Sequence, residues 1–168
     1  LFVFLLLQFS IPDLSAQVRP AGALAHHPYA RALQLVERGE YARAWQQLPP
    51  ANTAVSPGLK EAYATLLRAT ILHHQGARFL AQKELRTLRP HLVRLAKQNL
   101  HISEDYHLLQ ADIYYQLSEF ERFMEEVDAL GSCWQQKRPG DSLHLAWYHS
   151  LKAKYYSALI VPDSARKY

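Results

Sequence analysis

Nine histidines, one cysteine and several adjacent carboxylates are the residues of this 168-residue sequence whose types could do chemistry. The histidines are His26, His27, His73, His74, His91, His101, His107, His144 and His149. Zinc chemistry on a helix needs two imidazoles at i, i+4, so that both nitrogens reach one ion. No pair here has that spacing, and His144 and His149, five apart, share a face poorly. No metal site is expected. Cys133 beside a histidine would make a nucleophile and its base, but no local motif surrounds it. It reads as a small buried residue, and a single cysteine allows no internal disulfide. No glycine-rich loop is present to cradle a phosphate, and no cofactor is expected. Glu104-Asp105 and Glu125-Glu126 are sequence neighbours, so on a helix each pair diverges. These carboxylates are expected to be solvated. Chemistry-bearing residues are present without a catalytic arrangement.

The elements that carry them are helical. Helix formers outnumber Val, Ile and Thr, and glycine is scarce at six residues, so the expectation is all-α. The pattern predicts helices at 28–38, 41–48, 59–75, 78–88, 104–117, 119–130 and 143–159, and one from Pro162 onward. An extra turn or short helix is expected at 91–99, opened by Pro90. Residues 49–58 form a break, and 131–140 a loop anchored by Trp134. Ser103 and Ser142 are expected N-caps. A repeat runs through these elements. Arg31-Ala32, Leu35 and Gly39 match Arg68-Ala69, Leu72 and Gly76 at an offset of 37 residues, and Ala44 and Leu48 match Ala81 and Leu85. A shift of 42 brings in Ala111, Tyr114, Ser118 and Val127, with Phe123 in place of the second alanine. A further shift of 42 reaches Ala153, Tyr156 and Ala165, with Ile160 at the turn. An alanine on each helix of a pair permits close approach, and Gly39 and Gly76 suit a left-handed helix end. Such hairpins must stack to bury their apolar faces.

Gly39-Glu40-Tyr41-Ala42-Arg43-Ala44-Trp45-Gln46-Gln47-Leu48 and Pro162-Asp163-Ser164-Ala165 resemble the second half of a tetratricopeptide repeat. Tyr41 and Phe120 stand where that family has an aromatic just after the turn. The likeness covers 28–168. It departs where Arg31, Arg68, Gln110 and Lys152 occupy the place of a large residue before the first alanine. The repeat-closing proline is missing, and the periods exceed the usual value of about 34. The resemblance implies a right-handed superhelical array of antiparallel helix hairpins, an α-solenoid of about three and a half hairpins. It implies a concave groove lined by first helices, with Tyr63, His73, His74, Asp105, Asp112, Tyr115, Gln116, Trp147 and Lys154 as partner-binding residues. The function that follows is a scaffold for a protein or peptide partner, without catalysis of its own. The alternative is the non-catalytic N-terminal repeat region of a larger protein carrying a caspase-like peptidase or a sensor histidine kinase domain.

The first residues are of another kind. Leu1 to Phe9 are nearly all apolar, and Ala16 offers a small residue for cleavage. Residues 1–16 read as a signal peptide clipped at its start, 17–27 as a linker, and 28–168 as the repeats, truncated in the fourth. A buried apolar strand or helix is the other reading of the first segment. The first reading places the protein outside the cytoplasm, as a periplasmic, cell-surface or secreted chain. A membrane link would come only through a later segment. The formal net charge is +4, and one unit higher without Asp13. Six basic residues between Arg78 and Lys97 precede eight acidic ones between Glu104 and Asp128. Alternating blocks suit neighbouring elements that attract one another, and no nucleic-acid partner is expected.

Overall fold

The computed structural model describes residues 27–50, 56–137, 146, 148–153, 155 and 156. Among them there is no strand. We label the helices α1 (Ala30–Glu37), α2 (Tyr41–Gln46), α3 (Leu59–His74), α4 (Arg78–Leu88), α5 (Leu92–Gln98), α6 (Leu100–Gln116) and α7 (Phe120–Lys137). A short 3-10 turn, Arg89–His91, joins α4 to α5 and carries Pro90. Residues 148–153 are also helical. The expected all-α class and its adjacent helix pairs are therefore present. Among the described residues no helix is long and apolar enough to cross a membrane.

Three of the turns are built alike. Gly39, Gly76 and Ser118 have φ of 75°, 80° and 60°. At each, the amide of the left-handed residue donates to the carbonyl three residues back, and the next amide reaches five back. The second set is Glu40 to Leu35 at 2.8 Å, Ala77 to Leu72 at 2.8 Å and Glu119 to Tyr114 at 2.9 Å. This closes the orphan carbonyls of the first helix and turns the chain sharply. The result is three helix pairs, α1 with α2, α3 with α4 and α6 with α7. Ala32, Ala69 and Ala111 are buried on the first helices, and Ala44, Ala81 and Phe123 on the second.

The pairs share their inner helices. Tyr63, Leu66 and Ala69 of α3 enter a core with Ala81, Leu85, Leu95, Ile102, Tyr106 and Ile113. Leu67 and Ile71 of the same helix pack instead on Ala32, Leu33, Val36 and Ala44. In the same way α6 gives Leu108, Ala111 and Tyr114 to a core with Phe123, Val127, Leu130 and Trp134. Both helices are thus buried on two sides, as stacking requires. Arg68 and Gln110, which depart from the family pattern, are nonetheless buried at those positions. Arg68 is held by Glu84 Oε2 at 3.1 Å, Pro49 O at 3.1 Å and Thr65 Oγ1 at 2.9 Å. Gln110 Nε2 donates to the Tyr114 hydroxyl at 3.1 Å. The three hydrogen bonds of Arg68 offset its desolvation, whereas Gln110 makes one and leaves its buried Oε1 without a partner in the protein.

Several expectations need correction. Helix α6 begins at Leu100, capped by Asn99 Oδ1 accepting from the His101 amide at 3.0 Å. Ser103 is not the cap but a buried residue inside that helix. Helix α7 does not stop before Gly131; it runs to Lys137, with Trp134 buried as the expected anchor. Gly131 acts there by its size. A Cβ would lie 2.7 Å from Cε2 of Tyr148, so the missing side chain lets segment 148–153 close on α7. The Tyr148 hydroxyl donates to Asp128 Oδ1 at 2.9 Å, and Lys152 Nζ approaches the same oxygen at 3.5 Å. The carboxylates Glu104 and Glu126 are not solvated but buried, against His101 Nδ1 at 2.8 Å and His107 Nδ1 at 2.6 Å. Ala153, expected at a helix crossing, is exposed. Pro162 onward lies outside the described residues, as do Ser142 and residues 1–26.

Candidate functional site

The first helices of hairpins two and three, α3 and α6, lie side by side. Most of the sequence-predicted binding residues fall along this seam, in two groups. The upper group is a polar network. His73 Nε2 meets Asp112 Oδ2 at 2.7 Å. Gln116 Nε2 lies 3.4 Å from that oxygen and 3.5 Å from His73 Nε2. Arg78, at the start of α4, donates from Nε to Gln116 Oε1 at 2.8 Å. His74 stacks on Tyr41 of α2, ring centroids 5.4 Å apart and planes 12° off parallel. The network therefore joins four helices.

A histidine against an aspartate is also how a general base is oriented, so its access matters. The His73 side chain is 4% exposed. Its Nδ1 is enclosed without a hydrogen-bond partner in the protein. A proton on Nε2, facing the carboxylate, leaves Nδ1 as a bare acceptor, which is the less costly buried state. Nδ1 is closed to solvent, and Nε2 is taken up by Asp112. The pair acts as a clasp between α3 and α6. Asp112, half-buried, and Gln116, exposed, form its outer surface.

The lower group is more enclosed. Tyr63 is buried and packs edge-on to His27 at 4.5 Å. Asp105 and Tyr63 border a cavity of about 20 Å3, lined also by Leu66, Thr70 and Leu109, with room for about one water. Tyr115 stands apart. Its ring packs on Phe120 at 5.9 Å and Phe123 at 5.5 Å, inside hairpin three. The side chains of Trp147 and Lys154 lie outside the described residues. Thus His73, Asp112 and Gln116 are brought together, Tyr63 and Asp105 share a second place, and Tyr115 serves a third.

The basic block makes contacts other than those its charge suggests. Arg78 bonds to neutral Gln116, and Arg94 donates to the carbonyl of Pro57. Among the described lysines and arginines the buried one is Arg68, outside that block and on another face of α3. Its signal in the sequence was an arginine on the apolar stripe of α3, where burial demands partners.

Comparison of the chain with family models, with curated proteins and with solved structures finds no match.

Proposed function

We propose that this chain is a protein-binding scaffold of the tetratricopeptide type, a helical-repeat solenoid that takes a peptide or protein partner along its first helices. The observation that carries this reading is the threefold recurrence of one turn geometry. Gly39, Gly76 and Ser118 each close a first helix in the same left-handed conformation. First helices so placed pack on one another, α1 on α3 and α3 on α6. The surface at that seam is mixed, with Asp112, Gln116, Arg78 and the stacked ring of His74. Such polar and aromatic mixtures suit peptide recognition better than a plain apolar stripe does.

The reading also narrows the binding residues. Tyr63 and His73 are buried and belong to the array's own packing. Recognition falls to His74, Asp112, Gln116 and Arg78, and these are the positions to change. The test is selection of peptides from a random displayed library on the full chain. Selected peptides should bind the double variant His74→Ala, Gln116→Ala at least about tenfold more weakly, with unchanged circular dichroism. Failure to enrich any peptide, or equal binding by the double variant, would remove this reading.

A further inference from the structure

Beside the first hairpin lies a cavity of about 330 Å3, between Tyr29, Pro49 and Pro50 on one side and Lys60, Glu61, Ala64 and Arg68 of α3 on the other. That volume is at the lower end for small-molecule sites. Lys60, Ala64 and Arg68 recur every four residues and so form one stripe on α3. Tyr63, Thr70 and His73 lie on a different face of the same helix. The cavity is therefore separate from the seam and independent of the function proposed for it.

Its polar groups have a definite sense. Arg68 is 4% exposed and uses three N–H groups, on Glu84, the Pro49 carbonyl and Thr65. A guanidinium has five, so one remains on each terminal nitrogen. Lys60 is exposed and carries its ammonium over the Tyr29 ring, 6.0 Å from the centroid. Helix α3 starts at the cavity, and its first amides have no intrahelical acceptor. Glu61 is turned back on that start: its Oε2 lies 2.7 Å from where a Cβ on Gly58 would stand. The Tyr29 phenol is held protonated, its pKa raised by burial and then by Glu61 against an opposing effect of Arg68. It is a donor at neutral pH. The remaining lining, Pro49, Pro50, Ala64 and the Tyr29 ring, is apolar.

We propose that this cavity binds a small monocarboxylate with a short apolar body. The carboxylate meets Lys60 and the two remaining Arg68 N–H groups, and the body rests on Tyr29, Pro49, Pro50 and Ala64. Donors of this kind match a carboxylate's two oxygens. Glu61 and Glu84 already offset much of the cationic charge, so a monoanion suits the site and a dianion does not.

Benzoate is the probe, with benzamide as its neutral isostere and inorganic sulfate as the dianion. Titration of the full chain is followed by two-dimensional NMR. Benzoate should saturate with a dissociation constant on the order of 1 mM, as its few heavy atoms allow, shifting the Ala62, Ala64 and Arg68 signals. Benzamide and sulfate should each bind at least about tenfold more weakly. Lys60→Glu, at an exposed position, should weaken benzoate about tenfold or more, and Ala64→Leu should fill the cavity and abolish the shifts. Equal binding of benzamide would show an apolar cleft without carboxylate recognition and overturn the proposal. Benzoate binding unchanged by Lys60→Glu, or absence of saturation, would overturn it as well.

Discussion

Hairpins two and three reach the same packed crossing with side chains of different size. In hairpin two, Ala69 and Ala81 are both fully buried in one core. In hairpin three, Ala111 shares a core with Phe123, which stands where the second alanine stood. The ring does not sit alone. Tyr115 is 5.5 Å from it and Tyr155 stacks on it at 6.4 Å. Hairpin two closes by backbone approach and hairpin three by an aromatic cluster. Their turns differ similarly, Gly76 at φ 80° against Ser118 at φ 60°. A left-handed turn tolerates serine when the helices around it are already held. The periodic position thus specifies that a crossing be filled, not by which residue.

The largest effect should come from breaking the aromatic version. Phe123→Ala should cost about 3–5 kcal/mol by leaving a cavity among Tyr115, Val127 and Tyr155, read as a drop in the urea midpoint. The converse change is smaller. Ala69→Leu overpacks hairpin two and should cost about 1–3 kcal/mol; an unchanged melting temperature would mean that the crossing has slack. The turns sharpen the comparison further. Gly76→Ala should cost about 1–2 kcal/mol, while Ser118→Gly should be neutral or stabilise by up to about 1 kcal/mol. Destabilisation by both would show that Ser118 contributes more than its backbone angle.

The smallest effect concerns Tyr106, on the side of α6 that faces hairpin two. Its hydroxyl is buried and finds no hydrogen-bond partner in the protein. Tyr106→Phe should therefore be neutral or stabilise by about 1 kcal/mol near neutral pH. Burial first, then the nearby Glu126 carboxylate, raises its phenol pKa well above the ordinary 10.0, against a lowering effect of Arg89. The folded state then keeps a proton that the unfolded chain releases above about pH 10. Stability should be unaffected below that pH and fall as pH rises beyond it. Denaturant midpoints from pH 9 to 11 should decline less steeply in Tyr106→Phe than in the parent. Equal slopes would place the alkaline sensitivity elsewhere.

Much of the architecture was legible in short-range pattern. Helix α4 was placed at its observed ends, and the α5 segment after Pro90 was recognised, because capping and periodicity act within a few residues. The buried Ala32, Ala69 and Ala111 and the left-handed turns at Gly39 and Gly76 were readable because their spacing repeats, whereas the left-handed backbone of Ser118 was not. The candidate site was only half legible. The family resemblance implied His73, Asp112 and Gln116 as first-helix residues of one surface, yet not the burial that turns His73 into a clasp.

Much of what remained hidden shares one physical cause: its partner is distant in sequence. Gly131 looked like a helix breaker, and only the approach of Tyr148 makes it a packing residue. Glu104-Asp105 and Glu125-Glu126 looked equivalent and solvated, but burial takes Glu104 and Glu126 and gives Glu126 its partner from another helix. Arg68 looked like a departure from pattern until Pro49 and Glu84, 19 and 16 residues away, supplied its hydrogen bonds. Helix class, the turns after the first helices and the buried Ala32, Ala69 and Ala111 follow from the sequence alone, because local backbone preferences and a repeating apolar stripe determine them. Which charged groups are buried, and which face each helix gives to solvent, was decided only by tertiary packing, since the free energy of a buried polar group depends on the partners brought to it.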